Sequence, residues 1–296
     1  MIGVVIVHTV LRTAPHACGG HAVAMASADP TTPGEPDAAL ARAGGLEIRG
    51  SAVGLLDDPL LLRVRGAGPD GRVSWRARYR DDDGRIWRSA AARAEQLASA
   101  WTPAKETTGS FAALRSLRPV RIDVRAELPD GRAAARTVVR AITAEGVRTR
   151  RWRDGVAATL HVPARSDPCA TVLLDATAGE AQVAVATLAA PLLASRGVLV
   201  LAVMASRGHE ATARSLASAR TRLEAMPAAS EPIMLLTAHD PLAEEEPAGE
   251  PAGAVVMPPG VGVRDVRADA AADRALAWDA LLARLAARPR ERPAAP

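Results

Sequence analysis

Ser206 and His239 carry the two groups of the second half, a hydroxyl and an imidazole, that could run nucleophilic catalysis. Such a cycle needs a base within hydrogen-bond reach of the attacking oxygen and an acid that orients the base. The acids between them are Glu210, Glu224 and Glu231, and a Ser206, Glu231, His239 set is admissible because a triad is defined by geometry. His209, close to Ser206, could act as a base in a dyad, although its neighbourhood reads as an exposed helix start. His161 falls within an alternating strand pattern and is expected to be packed. A different chemistry is offered by Arg148, Arg150, Arg151 and Arg153 around Trp152, whose guanidinium forks and indole face could hold a nucleotide's phosphate and base. The plainer expectation for that cluster is a strand with Val147 and Trp152 packed and the arginines in water. Glu244, Glu245 and Glu246 are consecutive and cannot converge on one metal from a regular element. Cys18 and Cys169 belong to no cluster with metal-ligand spacing, so neither a metal nor a cofactor is expected.

The elements that would position these groups follow from periodicity. Residues 170–174 form a short apolar run of the kind a parallel sheet buries on both faces. Val185, Leu188, Ala189 and Leu192 then follow the spacing of a helix with one buried face, with Pro191 expected to kink its last turn. Gly197 ends that helix and residues 198–203 give a second strand, so the stretch predicts a crossover between parallel neighbours. Trp278, Leu281, Leu282 and Leu285 repeat the helical template and should cover the sheet. In the first half the period is two. Val73, Trp75, Ala77 and Tyr79 alternate with Ser74, Arg76, Arg78 and Arg80, as do Val120, Ile122, Val124, Ala126 and Leu128 with Arg121, Asp123, Arg125 and Glu127. Asp-Gly pairs at 70–71, 83–84 and 130–131 mark hairpins, and antiparallel strands at this spacing suggest an immunoglobulin-like β-sandwich. The arginines on these strands are expected to form a solvated face.

Composition excludes several classes. Of the 296 residues, 48% are hydrophobic and 24% charged, as in ordinary globular proteins, and the length allows two domains. Lys+Arg number 37 against 33 for Asp+Glu, a formal net charge of +4, which is a weak field for steering a polyanion. No nucleic-acid partner is expected. No segment has the 18 or more apolar residues of a membrane span. The apolar opening lacks a positively charged start and carries His8, so it is not read as a secretory signal, and a reducing cytoplasm is the expected compartment. Translation could begin at Met1 or at Met25.

Taken in order, several stretches carry a resemblance: residues 58–66 beginning Asp-Pro-Leu-Leu-Leu-Arg, then segments between 73 and 119, then 145–163, 170–175 and 192–203. With this order and spacing, residues 46–205 resemble the family of acyl-CoA thioester hydrolases and bile acid-CoA:amino acid N-acyltransferases. The resemblance implies an N-terminal β-sandwich at 43–143 and a reduced α/β-hydrolase-like domain with a mostly parallel sheet at 144–289. Residues 1–42 are expected to be a disordered extension and 290–296 a frayed tail. Such a hydrolase domain places a Ser or Cys in a Gly-x-Ser/Cys-x-Gly turn between a strand and a helix, because only glycines tolerate that sharp bend. This chain has no such pentapeptide. Residues 204–208, Met-Ala-Ser-Arg-Gly, fit the context around Ser206, but by family order they lie one strand before the nucleophile. Residues 233–241 are the other remnant. As the nucleophile strand they would bring Ala238 near the reactive position. As a late strand they would give Asp240 the place of the triad acid, with the nucleophile strand deleted between Val203 and Ile233, and no histidine follows Asp240. In the loop at 175–179, where the family has oxyanion donors, only Gly179 remains.

The resemblance implies acyl-CoA thioesters as substrate or ligand, with Arg148, Arg151 and Trp152 as candidate contacts for the CoA phosphates. The expected activity is thioester hydrolysis or acyl transfer that is weak or lost; the alternative is a noncatalytic binding or assembly protein on the same fold. A homodimer through a sheet edge exposed by missing strands is a further expectation.

Overall fold

The computed structural model describes residues 45–68, 71–98, 101–105, 112–152, 157–204, 209–230, 232–238, 254–256, 258, 260–261 and 268–287. In chain order the strands are β1 (Glu47–Gly50), β2 (Val53–Leu55), β3 (Leu62–Arg65), β4 (Ser74–Arg80), β5 (Ile86–Ala91), β6 (Thr102–Pro103), β7 (Val120–Glu127) and β8 (Ala133–Ala141). The second half continues with β9 (Arg148–Trp152), β10 (Ala158–Val162), β11 (Ala170–Ala176), helix α1 (Glu180–Ser195), β12 (Val198–Met204), α2 (His209–Glu224), β13 (Met234–Ala238), β14 (Ala254–Val255) and α3 (Ala268–Ala286). The described chain is therefore β-rich, with three α-helices and sheets of mixed direction. No helix among the described residues is long and apolar enough to cross a membrane.

The first sheet runs β2-β8-β7-β4-β5-β6. Its centre follows the period-two reading. Trp75, Ala77 and Tyr79 of β4 and Val120, Ile122, Val124 and Ala126 of β7 are buried, while the intervening residues from Arg76 to Arg80 and from Arg121 to Arg125 are exposed. Asp83-Gly84 turns β4 into antiparallel β5, and Asp130-Gly131 turns β7 into antiparallel β8, each glycine at positive φ (79° and 85°) as such tight turns require. The expectation of antiparallel strands throughout this half meets one difference. β2 pairs with β8 in parallel, because β2 enters the sheet from a long connection rather than a hairpin. A separate antiparallel ribbon, β1 with β3, lies near β8, and Arg136 Nη1 donates to the Ile48 carbonyl at 3.1 Å.

The second sheet runs β14-β13-β11-β12-β10-β9. β11, β12, β13 and β14 are mutually parallel; β10 runs against β12, and β9 against β10. The predicted β11, α1, β12 crossover is present, and Gly197 (φ 92°) follows the helix's C-cap. From β12 the chain passes through α2 and returns on the far side of β11 as β13. The two helices lie on opposite faces: α1 joins one apolar cluster with Val172, Leu174 and Val200, whereas Ala219 and Leu223 of α2 join another with Leu173, Leu199 and Leu201. That alternation is why β11 and β12 read as continuous apolar runs.

The α1 cluster is the larger one and runs on into the inner face of the first sheet, taking in Trp87, Ile122 and Val138 together with Trp278, Leu281 and Leu285 of α3. Hence α1 is buried almost all round from Val185 to Ala194, more than the one face its spacing predicts. Each such leucine contributes about 1.5–3 kcal/mol by its burial.

Candidate functional site

In an open parallel sheet, ligands bind beyond the carboxyl ends of the strands, where neighbouring connections leave toward opposite faces. Here that switch falls between β11 and β12, since α1 and α2 lie on opposite faces. The candidate edge is therefore formed by the ends of β11 at Ala176, β12 at Met204, β13 at Ala238 and β14 at Val255.

The loop that leaves β11 is internally bonded. Asp175 Oδ1 accepts from Thr177 N at 3.0 Å and from Thr177 Oγ1 at 2.6 Å, and Ala178 N donates to Gln182 Oε1 at 3.0 Å. The Thr177 and Ala178 amides are thus occupied by the chain's own side chains. Gly179 is the N-cap of α1 in extended backbone, φ 163°, and a Cβ built on it would meet nothing within 4 Å. A glycine is not required there by space or by conformation.

β13 pairs in parallel with β11 and is the next strand after β12 and α2. Its last residue is Ala238, fully buried and opposite Val255. No Ser, Thr or Cys occurs anywhere in residues 238–296. A strand-to-helix turn after β13 therefore has no hydroxyl or thiol to offer, a signal that was available in the sequence without the coordinates. Ser206, Glu231, His239 and Asp240 lie outside the described residues, and His209 is the first residue of α2.

The remaining candidates are placed as follows. His161 of β10 is only 4% exposed, pairs with Thr149 Oγ1 through Nδ1 at 3.3 Å, and stands opposite Val200. Burial pushes its pKa down to about 4, so the ring is neutral at physiological pH. It packs in the middle of the sheet, as its alternating strand predicts. Arg148, Arg151 and Trp152 all lie on β9, the edge strand. Strand parity puts Arg148, Arg150 and Trp152 on one face and Arg151 on the other, so the three named candidates do not converge. The Trp152 indole packs against the α2-side cluster, and the Arg222 guanidinium lies 5.7 Å from its ring centre. Its surface is engaged by the fold.

One polar cluster escaped sequence reasoning. Asp57, whose side chain has no exposed surface, accepts from Trp278 Nε1 at 3.0 Å and from Arg196 Nε at 3.2 Å. Arg196 Nη2 also stands 3.0 Å from Asp57 Oδ1, without the alignment of a hydrogen bond, and pairs with Asp58 Oδ1. Asp58 Oδ2 in turn accepts from Leu55 N at 2.7 Å. Burial raises the Asp57 carboxyl above its ordinary range against the opposing pull of Arg196. Burial would lower the Arg196 pKa, and the charges of Asp57 and Asp58 overcome it and raise it. Arg196 follows the C-terminus of α1, which places this joint at the opposite end of the sheet from the candidate edge. It ties the connection between β2 of the first sheet and β3 of the ribbon to α1 and α3, a structural role.

Compared with known proteins, the chain matches no family model and no curated protein.

Proposed function

We propose that this chain is a relative of acyl-CoA thioester hydrolases and acyltransferases that binds acyl-CoA thioesters and turns them over weakly or not at all. In this reading the first half is the family's immunoglobulin-like sandwich and the second a reduced α/β-hydrolase domain. One observation carries it. β13 follows β12 and α2, the place of the family's nucleophile strand; it ends on Ala238, and no Ser, Thr or Cys comes after it. The internally bonded Asp175–Gly179 loop supports the same reading, because donors already committed to Asp175 and Gln182 are poor stabilisers of a developing oxyanion. Of the two placements the sequence left open for residues 233–241, the pairing of β13 with β11 favours the nucleophile-strand position.

Acyl thioester would lie across the carboxyl edge, over β11 and β12, where α1 and α2 leave toward opposite faces of the sheet. Any covalent cycle left to the chain would use Ser206, in the segment that follows β12. Purified protein incubated with medium- and long-chain acyl-CoAs tests this by free thiol release alongside equilibrium binding. Saturable binding with thiol release at the spontaneous rate is expected. Rapid turnover that is lost in Ser206→Ala would show a working nucleophile and overturn the noncatalytic part, and absence of binding would overturn the ligand class.

A further inference from the structure

The outer face of the first sheet is an arginine surface whose register works against itself. Arg76, Arg78 and Arg80 of β4, Arg88 of β5, and Arg121 and Arg125 of β7 all point to solvent from this face. The strand pairing sets Arg76 directly opposite Arg125 and Arg78 directly opposite Arg88. Like charges in direct cross-strand register are destabilising. The only carboxylates on these strands' outer positions are Asp123, which pairs with Arg78 at 3.3 Å, and Glu127, which pairs with Arg125 at 3.6 Å. No described carboxylate lies within ion-pair distance of Arg76, Arg88 or Arg121. Six arginines stand against two carboxylates here, a local excess of four positive charges on one sheet face.

We propose that this face docks on an anionic lipid surface. Charge complementarity calls for a polyanion, and the geometry of the face selects among polyanions. Trp75, Tyr79 and Trp87 point into the core, so among the described residues the face has no aromatic platform for unpaired bases, and its exposed apolar surface is Val53 at the β2 edge rather than an aromatic anchor for a protein interface. Among the described residues β4, β5 and β7 are paired side by side into one sheet, with no helix on this face to enter a duplex groove. What it offers is a broad array of exposed guanidinium groups, the Arg78 side chain being 67% exposed, at the spacing of strands and alternate residues. A layer of phosphate headgroups would bridge guanidiniums that otherwise repel one another. This surface is distinct from the thioester-binding edge and does not depend on it.

The test is co-sedimentation of the full chain with vesicles of phosphatidylglycerol and phosphatidylcholine in equal parts, against phosphatidylcholine alone. Binding to the anionic vesicles only, weakened by salt, is expected. The combined Arg76→Thr, Arg88→Thr, Arg121→Thr variant should lower the partition about a hundredfold, at roughly fivefold per arginine. It should melt no lower than the parent, since it removes repulsion, and the corresponding triple lysine variant should keep binding. Neutralising Arg148, Arg150 and Arg151 on β9 should leave partition largely unchanged. The proposal is overturned by no partition into anionic vesicles at low salt, by equal loss in the β9 variant, by loss in the lysine variant, or by tighter binding to a DNA duplex than to the vesicles.

Discussion

Lowering the pH should draw about 3 kcal/mol of stability out of this protein through His161 alone. The ring sits between β9 and β12 with 4% of its surface exposed, and burial holds its pKa at about 4 against 6.5 in the unfolded chain. The folded ring resists a proton that the unfolded ring accepts. Across that window the unfolded state binds more protons, so the stabilising contribution is complete above pH 6.5 and is lost as pH falls toward about 4. A gap of this size at about 1.4 kcal/mol per pKa unit gives the figure above. The assay is urea unfolding at a series of pH values for the parent and for His161→Gln, which keeps a partner for Thr149 but does not titrate. Comparing the two cancels the other titrations, including that of the buried Asp57 carboxyl. The difference in unfolding free energy should change by about 3 kcal/mol between pH 6.5 and about 4, with the parent losing more. Parallel curves would refute the reasoning and return His161 to the list of accessible, chemically usable groups.

Other expectations follow from the same geometry. Arg196→Ala leaves the Asp57 carboxylate buried with only Trp278 as partner and should cost about 3 kcal/mol in chemical denaturation, whereas Asp57→Asn, which keeps an acceptor for Trp278, should cost less than Asp57→Ala. Gly50→Ala should destabilise by about 2 kcal/mol or more, because at φ 133° its Cβ would clash with the Leu61 carbonyl oxygen; equal stability by thermal melting would contradict this close approach at the end of β1. Gly179→Ala meets open space in extended backbone, so stability within about 0.5 kcal/mol of the parent and unchanged acyl-CoA binding are expected. Trp152→Ala should lower stability by about 3 kcal/mol through lost packing against the α2-side cluster.

The sequence was most readable where one physical period governs a whole element. The alternation in β4 and β7 is visible because each strand buries one face, and the run in β11 because a parallel strand buries both. The spacing of Trp278, Leu281 and Leu285 marked the buried stripe of α3 for the same reason. What stayed hidden depends on partners far apart in the chain. Trp278 and Asp57 are separated by 221 positions and Arg196 and Asp57 by 139, and no local pattern announces a hydrogen bond across such distances. The parallel docking of β2 on β8 and the return of β13 beside β11 are likewise settled by packing between elements. Asp57 and Asp58 stand before Pro59 with no local pattern that marks a partner, and only the burial of Asp57 and the contacts of both with Arg196 show what they do. The nucleophile question was different, since the lack of Ser, Thr and Cys after Thr237 is written in the sequence and gained meaning only once β13 was placed.

The central claim, as proposed above, is that the sheet edge receives a thioester but has no competent nucleophile with which to open it, neither Ser206 nor a residue following β13. Intact-mass measurement after incubation with a long-chain acyl-CoA tests it most directly. An unchanged protein mass, with acyl-CoA retained reversibly, is the predicted result. An acyl adduct on any serine or cysteine, formed with release of one equivalent of CoA thiol, would contradict it.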